Sequence, residues 1–121
     1  MRTLATQVKL RRLIRTSAEA WHRLETDPLE RARAGNTVDR LMELAGEVRD
    51  AWGREGQAAA LEEPLERYVA DSMRSAELAI AGLQQAGADL GLLRDDFEAA
   101  TLPLEVFLRG LDAEPALQRS A

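Results

Sequence analysis

Four carboxylates pose the first chemical question. Asp39, Glu43, Glu47 and Asp50 recur at steps of four, four and three, so a helix would carry them as one outward ladder. Like charges at such spacings repel, and a bound cation would relieve them. Oxygen donors of this kind are what Mg²⁺ takes. Glu43, Glu47 and Asp50 are therefore the candidate metal ligands. The plainer reading of the same ladder is a solvated helix face, with Arg40 and Arg54 softening the repulsion. His22 is the sole histidine, so any site that needs two is excluded, HExxH metalloproteases and two-histidine iron centres included.

Two partial resemblances attach to these residues. Glu47 and Asp50 have ExxD spacing, and Glu63 and Glu66 have ExxE spacing. The pair resembles, in reverse order, the motifs with which all-α nucleotide pyrophosphohydrolases hold Mg²⁺ on carboxylates alone. That resemblance implies a metal-dependent nucleotide hydrolase. Glu63 departs from the pattern because Pro64 follows it and disfavours helix at that position. His22 with Thr26 four residues on faintly resembles the histidine box of sensor kinases, which implies a phosphoacceptor. Here Arg23 takes the acidic position, the proline comes one place late, and no ATP-binding domain accompanies the box. A solvent-facing helix residue is the plainer reading of His22.

Other chemistries leave no residues to carry them. There is no cysteine, hence no disulfide, thiolate nucleophile or zinc-thiolate site. No glycine-rich loop or nucleophile motif is present. Aromatics make up 4% of the chain, and Trp21, Trp52, Tyr68, Phe97 and Phe107 all fall on apolar stripes, so they read as core. Stacking platforms for single-stranded nucleic acid are therefore missing. Charge is uneven. Residues 1–26 carry six basic and two acidic side chains, +4, within a chain of net charge −5, so the remainder holds −9. Arg11, Arg12 and Arg15 give the first helix a basic face that could meet phosphates or an acidic protein. Of sixteen basic residues only Lys9 is a lysine, a bias that fits codon usage in a GC-rich bacterial genome.

The elements that must position these residues are helical. The stripe Leu65, Val69, Met73, Ala76, Ile80, Leu83 and Gly87 keeps the 3.6-residue period, with small Ser72 and Ala79 beside it. Such a helix needs partners on its apolar side. A first helix from Leu10 shows Leu10, Leu13, Ile14, Ser17, Trp21 and Leu24 in phase; Leu4 and Val8 fall outside that stripe. Asp27, Pro28 and Glu30 form a helix start, with Asp27 as cap and Glu30 placed to return the bond. Gly35, Asn36 and Thr37 predict a break. Val38, Leu41, Leu44, Ala45, Val48, Ala51 and Trp52 form the next stripe, stopped by Gly53 and Gly56. The third helix starts either near Gln57 with a kink or at Pro64. Gly87 stops it and Asp89 caps the last helix, which runs in phase through Leu90, Leu93, Phe97, Ala100, Leu104, Phe107, Leu108 and Leu111 with a bend expected at Pro103. A second row on that helix, Leu92, Ala99, Leu102 and Val106, lies opposite the first. Proline-led starts recur after 36 and 39 residues, but the segments between them do not align, so they are a reused start device and not a repeat.

The sequence thus predicts an all-α, up-down antiparallel bundle of four main helices, with residues 1–112 as one domain and 113–121 as a flexible tail. No apolar run reaches the roughly 20 residues a membrane span needs, and no signal-peptide pattern is supported, so a cytoplasmic location is expected. The functional expectation is a non-catalytic, cofactor-free interaction module: an adaptor, a secretion-type chaperone or a small subunit. The expected partner is a protein, or a second copy through Leu92, Ala99, Leu102 and Val106. The alternatives are the Mg²⁺-dependent hydrolase and a nucleic-acid-binding subunit using Arg11, Arg12 and Arg15.

Overall fold

The computed structural model describes the backbone of residues 5–55, 62–85 and 87–120, and the side chains of 5–54, 65–85 and 87–112. It contains α1 (Ala5–Thr26), α2 (Pro28–Ala32), α3 (Ala34–Glu55), α4 (Glu62–Gly82) and α5 (Leu90–Ser120), and no strand among the described residues. The fold is all-α. The long helices pack as a ring in which α1 meets α3, α3 meets α4, α4 meets α5, and α5 returns to α1. Cross-links give the directions. Arg11, early in α1, pairs with Asp112, late in α5, whereas Glu25, late in α1, pairs with Arg94, early in α5. Lys9 pairs with Glu47 near the far end of α3. Each of these contacts runs antiparallel, as an up-down bundle requires.

The stripes meet inside the ring. Leu10, Leu13 and Leu24 of α1, Leu44 and Val48 of α3, Leu65, Val69 and Ile80 of α4, and Leu104 of α5 are essentially inaccessible. Trp21, Trp52 and Phe97 are buried as expected, but Tyr68 is 41% exposed and only its ring edge reaches the core, against Phe107. Leu90 also departs from its assigned stripe, at 37% exposed, because it opens α5 before the helix is covered by α4. Close approach of α4 and α5 depends on Gly82, where a Cβ would lie 2.7 Å from Leu93 Cδ2.

Starts and stops follow hydrogen bonding more than apolar phase. α1 begins five residues before Leu10, and its first turns bury the polar Thr6 and Gln7. Gln7 Nε2 donates to Asp112 Oδ1 at 2.9 Å, which removes the cost of burying it. Val8, 53% exposed, points away from the core; Leu4 lies outside the described residues. Asp27 caps α2 by accepting from Leu29 N at 2.9 Å. Its own N–H closes α1 onto Arg23 O at 2.9 Å, so the return bond expected from Glu30 has no donor left.

The break expected at Gly35 occurs two residues earlier, at Arg33, whose N–H is shared between Leu29 O and Glu30 O. Once those carbonyls close α2, Gly35 and Asn36 fall inside the first turn of α3, with Asn36 N bonded to Arg33 O. As described, α4 begins at Glu62, two residues ahead of Pro64, which sits in its first turn, where a helix needs no N–H. Residues 56–61, Gln57 and Gly56 among them, lie outside the description. Gly87, at φ +74, ends the α4–α5 connection in the left-handed region, and Asp89 Oδ1 caps α5 through Leu92 N at 3.1 Å. α5 is continuous through Pro103. The tail expected over 113–121 lies outside the residues whose side chains are described.

Two predictions test this packing. Alanine at Ile80 or Leu83 should cost about 2–5 kcal/mol in denaturant unfolding, while alanine at Leu78, 68% exposed, should cost far less; equal losses would place the stripe in the wrong phase. Ser72 is buried and its hydroxyl has no hydrogen-bond partner. Ser72→Ala removes that unmet group and improves helix propensity, so it should be neutral or stabilise by up to about 1 kcal/mol.

Candidate functional site

The carboxylate ladder of α3 does not assemble as a cluster. Glu47 accepts from Lys9 Nζ at 2.9 Å, and that hydrogen bond lowers its pKa below the usual carboxylate value. Glu43 faces Arg40 at 3.4 Å, one turn away on the same helix. Asp39 and Asp50 are exposed. Among the described residues no three His, Cys, Asp or Glu side chains are placed to hold a metal ion. Two of the ladder's four charges are answered by cations of the chain, and Glu63, part of the hydrolase-like pattern, has a side chain outside the description. His22 is exposed beside Ala18, Glu19 and Arg23, and its backbone carbonyl accepts from Thr26 Oγ1 at 2.9 Å.

The basic face of α1 is partly used up within the fold. Arg11 Nη2 donates to both carboxylate oxygens of Asp112, at 3.1 and 3.0 Å, next to the Gln7 bond to the same group. Arg12 and Arg15 stay exposed and make no ion pair among the described residues. Of the three arginines, two remain available to a partner.

A junction between α1 and α5 is the most elaborate feature of the surface. The Trp21 and Phe97 rings stack at 4.7 Å with an interplanar angle of 21°. Trp21 Nε1 donates to Glu25 Oε1 at 2.7 Å, and Arg94 grips both oxygens of Glu25 at 2.6 and 2.9 Å. Glu25 is only 13% exposed against 50% for Arg94. The Arg94 hydrogen bond, with help from Trp21, holds the Glu25 carboxyl below its ordinary 4.5 although burial pushes the other way. The sequence places Glu25 one turn after Trp21, but no local pattern ties it to Arg94, 69 residues on.

The second row of α5 points outward. Leu92, Leu102 and Val106 are 60, 50 and 56% exposed, and Ala99 is exposed with them. Val106, beyond Pro103, is therefore not covered by α1. Ala99 divides two grooves. One, of about 570 Å³, lies between α1 and α5 and is lined by Ile14, Ala18, Trp21 and Leu102. The other, of about 360 Å³, lies between α4 and α5 and is lined by Leu78, Ala79 and Leu93. Apolar ridges with a groove on each side can take the side chains of another helix, and the α1–α5 groove also carries the carboxylates of Asp95, Glu98 and Glu105.

The Glu25–Arg94 pair gives a pH prediction. Because the folded carboxyl titrates below 4.5, its contribution is present above that pH and is lost as the pH falls through the lowered value. In denaturant unfolding, the advantage of the parent chain over Glu25→Gln should be full at neutral pH and shrink steadily below about pH 4.5. An advantage that does not change with pH would mean the charge of Glu25 is irrelevant to the junction. Compared with known protein families, characterised proteins and solved structures, the chain matches none, so its own geometry carries the functional reading.

Proposed function

We propose that this chain is a non-catalytic, cytoplasmic interaction module that docks a protein through the outward face of α5. The observation that carries the reading is the row of Leu92, Ala99, Leu102 and Val106, left in solvent on a helix whose other face is already buried. Folded chains seldom leave such a row uncovered, because burying it on a partner is favourable at about 25 cal/mol per Å². The setting fits docking: a rigid helix, a small residue at the centre for close approach, and grooves on both sides. No helix among the described residues is long and apolar enough to cross a membrane. The hydrolase reading draws less support, since Lys9 already pairs with Glu47, one of the carboxylates it would use, and Arg40 with the neighbouring Glu43.

The test is a photo-crosslinking amino acid placed at Leu102 in the native host, with Asp50 as the control position. Position 102 should yield discrete protein adducts and position 50 none. Adducts at neither position, or equal adducts at both, would sink the docking reading.

A further inference from the structure

The part of the α5 row from Ala99 to Val106 is bounded by charge, and the charges are opposite; Leu92 lies beyond Asp95. Asp95, Ala99, Leu102, Val106 and Arg109 follow one another at steps of four, three, four and three, the spacing of a helix-pairing seam. All five are exposed. Asp95 and Arg109 stand seven residues either side of Leu102, about 10 Å along the axis in each direction at 1.5 Å per residue. Neither forms an ion pair with another described residue, although Arg94 on the same helix and Arg11 on the neighbouring α1 both do.

A twofold axis through Leu102 makes this stripe complementary to itself. Run antiparallel against its copy, Leu102 meets Leu102, and Val106 falls within about 1.5 Å of the level of Ala99, where the small side chain leaves room. Asp95 then stands level with Arg109 at both ends of the seam, with Glu98 one turn further along the same flank. A parallel pairing would instead set Asp95 on Asp95 and Arg109 on Arg109, which like-charge repulsion disfavours. The leucines and valines give the attraction; the terminal charges select the direction and the register. We propose that α5 pairs antiparallel with α5 of a second copy, centred on Leu102, with Asp95 of each chain facing Arg109 of the other. This rests on the docking reading above and names its occupant.

Three exposed apolar side chains per copy make a small interface, so association in the micromolar range is expected. Sedimentation velocity over a dilution series should show a monomer–dimer equilibrium for the parent chain. Asp95→Arg alone and Arg109→Asp alone each set like charges opposite one another at both ends, and each should self-associate roughly tenfold more weakly. Mixed in equal amounts, the two variants regain opposite charges at both ends and should form a mixed dimer about as tight as the parent. All three proteins should keep the parent's helical circular dichroism, since both positions are exposed. A parent chain that stays monomeric throughout would overturn the proposal, as would a mixture no tighter than either variant. The crosslink at Leu102 separates this failure from that of the docking reading. Adducts to a different protein, with a monomeric purified chain, would overturn self-pairing and leave the docking face in place; adducts of twice the chain's mass support self-pairing.

Discussion

Closing the helix ring between α1 and α5 is the constraint on which the remaining structure depends. Three sides of the ring join helices that follow one another in the chain, and short connections hold them together. The fourth side must bring the first helix to the last, and the entropy of that closure is met by contacts alone. The Trp21–Phe97 stack supplies the apolar share, at one end of the shared face. Glu25 with Arg94 lies beside it, and Gln7 and Arg11 with Asp112 lie at the opposite end. Solvent-screened ion pairs contribute little free energy. Their placement at the two ends of one interface matters more for register, because sliding α5 along α1 by one turn would separate both sets at once.

That closure explains the outward row. To present Phe97, Ala100, Leu104 and Leu111 inward, α5 must turn Leu92, Ala99, Leu102 and Val106 away, since the two rows lie on opposite sides of one helix. A helix at the edge of a four-membered ring has neighbours on two flanks and the core beneath; nothing is above it. The second row therefore adds nothing to the fold of a single chain. The exposed half of its apolar surface is what the proposed docking face rests on.

What was legible in the sequence was the part set by period and by local capping. The α3 stripe, and the α4 stripe through Leu83, are buried nearly residue for residue, and Asp27 and Asp89 cap as their types predict, whereas α4 ends at Gly82, five residues before the stop expected at Gly87. The outward direction of the α5 row was legible for the same reason. Long-range polar contacts were not. Gln7 is a polar residue in a buried position and could be recognised only through Asp112, 105 residues away. Arg94 reads as an ordinary outer-face arginine until Glu25 is beside it. The break before α3 was misplaced because Gly35 is a strong local signal, while the decisive event is the satisfaction of the Leu29 and Glu30 carbonyls by Arg33. Arg31 and Gln84 extend this logic to α2, which has no buried residue and is held by hydrogen bonds from Arg31 to Glu25 O and from Gln84 to Arg31 O.

The uneven charge of the chain can be followed through the same contacts. Residues 1–26 carry +4 against −9 elsewhere, which invites a nucleic-acid or acidic-protein partner. Lys9 and Arg11 spend that excess on Glu47 of α3 and Asp112 of α5, the two helices that flank α1 in the ring. The charge asymmetry thus acts first within the molecule, drawing a basic helix into the gap between two acidic ones. Arg12 and Arg15 are left on the outside. Electrostatic binding to nucleic acid is built from many phosphate contacts, each releasing counterions, and two adjacent arginines on an acidic protein supply few of them. Apolar area, by contrast, is concentrated on one rigid helix, with its own charges arranged at either end. Among the described residues, exposed Val8, Leu29, Met42, Tyr68 and Leu78 are scattered over the other helices, whereas α5 gathers Leu92, Leu102 and Val106 on one face that the fold itself does not bury.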